Sequence, residues 1–247
     1  MMEELLPESV VVVESHGDDG AGDASLYPEE LAVVSRAVGK RRREFASVRV
    51  CARRAMEKLG VAPAPVLPGE RGAPQWPAGV IGSMTHCEGY GAAALARTGD
   101  LASLGIDAEP HLALPDGVLE TIALSGESAR LERLGARASA VHWDRLLFSA
   151  KESVYKAWFP LTGKWLDFSE ADIDVFPEPA PAADGFSGGL RARLLVPGPV
   201  VDGVPVQTFE GRWTVRHGLL ATAITVPWPA SGPAAGPTRE GTEGAAG

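Results

Sequence analysis

Cysteine is nearly absent from this chain: Cys51 and Cys87 are the two in 247 residues. That excludes a disulfide scaffold and a Cys-rich zinc site. No run of 18 uncharged apolar residues occurs, so no membrane-spanning helix is expected. The start, Met1-Met2-Glu3-Glu4, is acidic where a secretory or transit peptide is basic, and a cytoplasmic protein is expected. Positive charge is in deficit, with 23 Lys and Arg against 32 Asp and Glu and a net charge of −9. A general nucleic-acid binder needs the opposite balance. There is no phosphate-binding Walker loop, no dinucleotide glycine fingerprint and no nucleophile elbow. His16, His111, His142 and His217 show no metal-ligand spacing. What remains is 45% hydrophobic and 22% charged, an ordinary globular composition. The length suits one large domain or two small ones, with enough chain to bury a core unaided.

The charge is unevenly placed. Nine bases (Arg36, Lys40, Arg41, Arg42, Arg43, Arg49, Arg53, Arg54 and Lys58) face only Glu44 and Glu57 within one segment. One positive locus on an acidic protein suits a small polyanion better than a duplex, although a solvated helix face would look the same.

Ser9–Glu14 reads as a strand and Gly17–Gly22 as a loop. Tyr27–Leu59 reads as helical, with Gly39 separating a short helix from a longer one. Phe45, Val48, Ala52, Ala55 and Leu59 form its buried stripe, and Gly60 stops it. On a helical wheel Arg42, Arg49 and Arg53 flank that stripe, whereas Arg54 and Lys58 point to solvent; Cys51, on the stripe's flank, reads as packing. Val61–Trp76 reads as loop. Strands are predicted at Val80–Thr85, Gly91–Ala96 and Leu104–Glu109, then a helical stretch over Leu114–Pro160 interrupted near Gly126 and Gly135. Four further strands follow, at Asp172–Phe176, Leu190–Val196, Gln207–Val215 and Leu219–Val226. Helix-then-strands occurs twice, which predicts two similar α+β halves with a boundary near residues 110–116. We set them at residues 1–112 and 113–227, with a disordered Gly/Ala/Pro tail over 228–247.

Three groups could carry chemistry. In a strand Asp107 and Glu109 project from one face while Ile106 and Ala108 anchor the other. Adjacent carboxylates repel unless a cation neutralises them, and a hard divalent ion such as Mg²⁺ suits oxygen ligands; two hydrated surface acids are the plainer account. On the helix around 144–159, Leu147, Ala150, Val154 and Trp158 form the core stripe. Glu152 and Lys156 lie opposite, between Phe148 and Phe159. A simple Glu–Lys pair would contribute about 0.2–0.5 kcal/mol, but a plain solvent face would not be edged by two phenylalanines. Third, His86 ends a strand beside Ser83 and Thr85, where the hydroxyls and imidazole could bind a phosphate; a satisfied core histidine is the alternative.

In this order the pieces resemble the larger, monomeric 4′-phosphopantetheinyl transferases. The matching residues are Lys40-Arg41-Arg42-Arg43-Glu44-Phe45 with Arg49 and Cys51-Ala52-Arg53, Gly72-Ala73-Pro74-Gln75-Trp76-Pro77, and Gly82-Ser83-Met84-Thr85-His86. Gly105-Ile106-Asp107-Ala108-Glu109 and Phe148-Ser149-Ala150-Lys151-Glu152 follow, the last running on to Lys156-Ala157-Trp158. The match spans roughly residues 36–168. It looks most like the enterobactin-synthase-associated branch. The surfactin-type branch has Ser-His-Ser where Thr85-His86-Cys87 stands and usually Trp at the place of Phe148, a departure that bears on carrier preference and not on the reaction.

The resemblance implies an α+β fold of two similar halves, a monomeric pseudo-dimer with the active site in the cleft between them. It implies transfer of the phosphopantetheine arm of coenzyme A to a serine of an acyl or peptidyl carrier protein, releasing adenosine 3′,5′-bisphosphate. Fatty-acid, polyketide, nonribosomal-peptide and siderophore carriers all remain open. By the resemblance, Asp107, Glu109 and Glu152 hold Mg²⁺ (or Mn²⁺) and Glu152 is the general base. Lys156 steadies the phosphate in transfer, and His86 bonds a coenzyme A phosphate. Arg41 and Arg49 hold the 3′-phosphate and pyrophosphate, with Arg53 added. The wheel favours Arg42 over Arg41, but Gly39 disturbs the helical phase there and the family position is Arg41. Arg71 contacts the nucleotide. Ser83, Thr85 and the Lys164-Trp165-Leu166 turn line the adenine or pantetheine pocket. Two rivals are a Mg²⁺-dependent nuclease or phosphohydrolase, which the net charge disfavours, and a non-catalytic module binding coenzyme A or carrier protein.

Overall fold

The Val-rich run near the amino end forms β1 (Val11–His16). It starts later than the sequence predicts because the Val10 amide closes a turn onto Pro7 O at 2.9 Å. This is a computed structural model, and it describes residues 1–17, 20–178 and 185–229. After β1 come α1 (Pro28–Val33) and α2 (Gly39–Lys58). The expected helix is thus broken over residues 34–38, and Gly39 opens the second piece. Phe45, Val48, Ala52 and Ala55 of the predicted stripe are buried and Leu59 is half-buried; Cys51 on its flank is buried as well. Gly60 ends the helix at φ 71°, with Gly60 N on Glu57 O and Val61 N on Met56 O, a Schellman closure.

Next come β2 (Val80–Cys87), β3 (Tyr90–Arg97) and β4 (Ser103–Pro110). A helical stretch follows as α3 (Val118–Ile122), α4 (Ser125–Arg137) and α5 (Trp143–Thr162). Gly126 and Gly135, where breaks are expected, lie inside α4. The first break falls at Ala123–Leu124 because the Glu127 carboxylate caps Leu124 N at 2.7 Å. The chain ends in β5 (Ala171–Pro177), β6 (Gly185–Leu194), a two-residue pair β7 (Val200–Val201) and β8 (Val204–Pro205), β9 (Thr208–Arg216) and β10 (Leu219–Val226). The sequence does not predict β7 and β8. It also starts β6 too late: Gly188 and Gly189 precede the predicted strand, yet they pair with Trp213 and Arg212. A Cβ at 188 would come within 2.7 Å of the Trp213 indole nitrogen, so glycine is what lets that strand pass.

The strands form an antiparallel sheet β1-β3-β2 and a second one, β4-β10-β9-β6-β5. The chain is therefore α+β. In β3, Ala93 and Leu95 pack under α2, while Ala92, Ala94 and Ala96 face the other way, onto Ile106 and Ala108 of β4 and Ala221 and Ala223 of β10. The sequence places β4 in the amino-terminal half, but it pairs along its length with β10, Asp107 opposite Thr222 and Glu109 opposite Leu220. It reaches β2 through side chains: Ile106 N donates to Ser83 Oγ at 3.1 Å and Ala108 N to Thr85 Oγ1 at 3.0 Å. Two buried hydroxyls thereby join the sheets.

Helix α5 lies across β4 and β10. A Cβ at Gly105 would run into Ser153 O and come within 2.7 Å of Ala157 N. Ser103 Oγ donates to Ala157 O at 2.7 Å, and Ser149 and Ser153 share hydrogen bonds with Thr222 at 2.9 and 2.7 Å. Small residues and mutually satisfied hydroxyls thus permit a close helix–sheet approach. No helix among the described residues is long and apolar enough to cross a membrane. Residues 230–247 of the expected tail lie outside the described residues, as do Asp18 and Asp19 of the first loop. Trp228, assigned to that tail, donates from Nε1 to Thr98 O at 2.9 Å.

Gly105→Ala is expected to cost about 1–3 kcal/mol by overpacking and to lower the urea midpoint without changing the slope. An unaltered midpoint would show that α5 is not seated on this residue.

Candidate active site

Strand β4 carries Asp107 and Glu109 on the face opposite the buried Ile106 and Ala108. Asp107 is 5% exposed. Its Oδ1 accepts Lys156 Nζ at 2.7 Å and Thr85 Oγ1 at 3.3 Å. Its Oδ2 is buried and has no hydrogen-bond partner among the described residues. Lys156 also donates to Ile106 O at 3.1 Å. Glu109 Oε2 accepts Arg145 Nη1 at 2.9 Å. Glu152 stands one turn before Lys156 on α5, and its side chain makes no hydrogen bond or ion pair among the described residues. Burial raises its pKa, Asp107 adds to the rise, and Lys156 opposes it. Burial likewise raises Glu109, with Asp107 adding and Arg145 opposing.

Asp107 thus lies within electrostatic reach of both glutamates. Among the described residues, however, no three His, Cys, Asp or Glu side chains form a ready metal cage. Asp107 and Glu109 each stand in an ion pair, because carboxylates this close require compensating charge and Lys156 and Arg145 supply it. Among the described residues Asp107 Oδ2 and the Glu152 carboxylate have no hydrogen-bond partner; both are hard donors of the kind a divalent cation takes.

The basic locus sorts into distinct roles. Arg42, which the wheel favours, pairs with Asp23. Arg41 meets His86 Nε2 and lies 4.0 Å from Glu44, which is itself 3.7 Å from His86. Arg49 is 6% exposed; it donates to Val66 O at 3.1 Å and Phe45 O at 3.3 Å and lies 3.1 Å over the Phe45 ring. Burial brings its pKa down to about 10, with Glu30 opposing. Arg53 is held by the wholly buried Glu30 at 3.0 Å and by Ser25 O. A buried carboxylate needs such a partner, so Arg53 and Arg49 brace the interior of this half. Of Arg41, Arg49 and Arg53, Arg41 is the one presented outward, its side chain 53% exposed. Beside it opens a cleft of about 450 Å³ lined by Lys40, Arg43, Glu44, Ser47, His86 and Glu88.

His86 is held below the ordinary imidazole value by burial, then by Arg41, with Glu44 opposing; Lys156 and Asp107 act on it more weakly. It therefore links the arginine cleft to the carboxylates. Its neighbour Cys87 is no thiolate: burial and nearby acids push the thiol up to about 12. Ser83 and Thr85 are buried, and each hydroxyl oxygen accepts a β4 amide, so they serve first as the seam between sheets. Leu166 is buried in the carboxy-terminal core. Its neighbour Trp165 is 54% exposed, lying 5.0 Å from Tyr155 and under the Arg71 guanidinium at 5.5 Å. Arg71 reaches there from a backbone with φ 52°. Phe148 and Phe159 edge the same helix, against Phe168 at 6.3 Å and Tyr155 at 5.9 Å.

Sequence reasoning misses Glu44, Tyr155 and Arg145. Arg145 had a legible signal: it sits seven residues before Glu152, two turns along the same helical face. Lys151, inside the matched Lys-Glu motif, is a buried strut that meets Glu127 at 3.0 Å, Phe168 O at 2.7 Å and Ala171 O at 2.9 Å. An NMR pH titration of the protein should place His86 below 6.5. Arg41→Ala should raise that midpoint, since it removes a repelling cation; an unmoved midpoint would separate the two side chains.

Residues 29–96 match the family described as the 4′-phosphopantetheinyl transferase N-terminal domain, and residues 103–196 match the 4′-phosphopantetheinyl transferase superfamily. The chain is 54% identical over 246 residues to 4′-phosphopantetheinyl transferase Svp of Streptomyces mobaraensis, covering 99% of this chain and 95% of that protein. It is 48% identical over 199 residues to 4′-phosphopantetheinyl transferase PptT of Mycobacterium tuberculosis, covering 81% and 85%. Enterobactin synthase component D of Escherichia coli K12 is more distant, 32% identical over 134 residues, covering 53% and 62%. With its two motif-bearing segments matched in order and most of its length shared with named transferases, the chain belongs to the 4′-phosphopantetheinyl transferase superfamily and is an enzyme of that kind.

Proposed function

We propose that this enzyme transfers the 4′-phosphopantetheine group of coenzyme A to a serine hydroxyl of an acyl or peptidyl carrier protein. We read the two helix-on-sheet units, α2 on β1-β3-β2 and α5 on the five-stranded sheet, as the halves of a monomeric pseudo-dimer with the reaction between them. One observation carries this reading most: α5 sets Glu152 and Lys156 against Asp107, and Lys156 and Asp107 lie within electrostatic reach of His86, which meets Arg41 of α2.

The serine oxygen attacks the phosphorus bearing the pantetheine arm. The bond from that phosphorus to the bridging pyrophosphate oxygen breaks, and adenosine 3′,5′-bisphosphate leaves with the electron pair. Glu152, unpaired and raised in basicity by burial and by Asp107, takes the serine proton directly or through water. Lys156, a compact ammonium on a flexible stem, passes from Asp107 to the phosphate as charge gathers there. Arg41 and His86 hold a coenzyme A phosphate, and Arg71 holds the nucleotide end near Trp165.

Asp107, Glu109 and Glu152 are the residues that would hold Mg²⁺ or Mn²⁺, and the buried, unpartnered Asp107 Oδ2 fits such a ligand. When bound, the ion would offset pyrophosphate charge and steady the leaving oxygen.

Intact-mass analysis of apo carrier proteins incubated with enzyme, coenzyme A and Mg²⁺ should show one added phosphopantetheine. Glu152→Gln should remove that mass shift and leave coenzyme A binding within a few-fold; retained transfer would exclude it as the base. Arg41→Ala should weaken coenzyme A by about 10–100-fold in calorimetry, the scale of a lost bond to a charged group. Arg49→Ala, by contrast, should chiefly lower stability. The reverse pattern would exchange the two roles.

A further inference from the structure

Glu109 and Asp107 are neutralised in physically different ways. Lys156 meets Asp107 with one ammonium at the end of a flexible stem, and its other bond is to Ile106 O. Arg145 meets Glu109 with a guanidinium held on three sides. Nη1 donates to Glu109 Oε2 at 2.9 Å, Nε to Leu112 O at 3.1 Å and Nη2 to Ala113 O at 2.9 Å. Its side chain is 16% exposed. The preceding residue reinforces this clamp, since Asp144 Oδ2 accepts Leu114 N at 2.7 Å. The segment leaving β4 is thus pinned to the first turn of α5 by two successive side chains. Lysine can swing away at little cost, whereas the planar arginine fork cannot follow Glu109 without giving up its two backbone carbonyls.

We infer that Arg145 is a positioning residue which competes with a divalent cation for Glu109. It holds that carboxylate back in the substrate-free enzyme, so that the cation binds well only together with the pyrophosphate. This rests on the cation reading above. Before substrate arrives, Asp107 Oδ2 and Glu152 are the groups that would be open to a bare ion, and Lys156 and Arg145 would both repel it. Pyrophosphate brings negative oxygens that draw Lys156 off Asp107 and add ligands, and only then does exchanging the Arg145 bond for an ion at Glu109 become favourable. Coupling of this kind is reciprocal: coenzyme A tightens the ion by the factor by which the ion tightens coenzyme A.

Binding of Mn²⁺ to the full chain, followed by the electron-spin-resonance signal of free Mn²⁺ with and without coenzyme A, tests this. The unsubstituted protein should bind Mn²⁺ weakly alone and more tightly with coenzyme A. Arg145→Gln should tighten coenzyme A-free binding by about tenfold, the low end of effects from groups that hold a metal's ligands, and should shrink the coupling by the same factor. That gain should vanish in the Arg145→Gln, Glu109→Gln double variant. Arg145→Lys, which keeps the charge without the three-sided clamp, should fall between. Glu109→Gln alone should change coenzyme A-free binding by less than about threefold and weaken the coenzyme A-dependent binding more; it decides the matter should Arg145→Gln not fold. Coenzyme A-free binding unaltered by Arg145→Gln, or weakened by Glu109→Gln as strongly as the coenzyme A-dependent binding, overturns the role of Arg145. Asp107→Asn separates the two levels. If Mn²⁺ binds through Asp107 but ignores position 145, only this inference fails. If Mn²⁺ binds to none of the proteins, or binds regardless of Asp107, the cation reading falls with it.

Discussion

Between Gly105 and the carbonyl oxygen of Ser153 there is no room for a side chain, and that close approach of α5 to β4 is the constraint on which the site rests. It sets Lys156 Nζ on Asp107 Oδ1 and brings Glu152 into the field of the same carboxylate. A methyl group at 105 would push the helix outward and loosen every one of those relations. The serines and the threonine that line the approach bond one another and the helix carbonyls, so close packing leaves their buried hydroxyls satisfied.

A second joint is made by side chains. Ser83 and Thr85 accept the Ile106 and Ala108 amides, which otherwise face the end of one sheet with no strand beside them. Since β2 ends in His86 and β4 carries Asp107, this seam also holds the Arg41–His86 pair in register with the carboxylates. The hydroxyls read in the sequence as phosphate donors therefore have a prior structural task, and the imidazole beyond them is the group that faces the cleft.

Charge compensation organises the rest. Glu30 and Glu127 are wholly buried, and each is met by a base, Arg53 and Lys151. Asp107 and Glu109 follow the same rule through Lys156 and Arg145. The difference lies in what is left over. Glu127 is fully engaged, bonded to Leu124 N, Ile173 N and Lys151, whereas among the described residues Asp107 Oδ2 and the Glu152 carboxylate find no hydrogen-bond partner. Full satisfaction marks a strut, and the remainder marks a place where chemistry can occur.

Much of this was legible in one dimension. Periodicity found the stripes of α2 and α5 and put Asp107 and Glu109 on one strand face, and the ordered motifs identified the family, because local spacing alone decides which side chains share a face. The break before Gly39 was legible too, but those around α4 were not, because Leu124 is not a residue type that usually caps a helix; nor was the glycine-bearing start of β6, which depends on room beside the distant Trp213. Spacing set Arg49 and Arg53 beside the apolar stripe but gave no reason to withhold them from a ligand; Glu30 and Val66, brought in by the fold, engage those two, while Arg41 stays outward. Residue types and their order were the sequence's own determination. Which charges pair, and which are left over, was decided by tertiary structure, because pairing depends on distances between segments far apart along the chain.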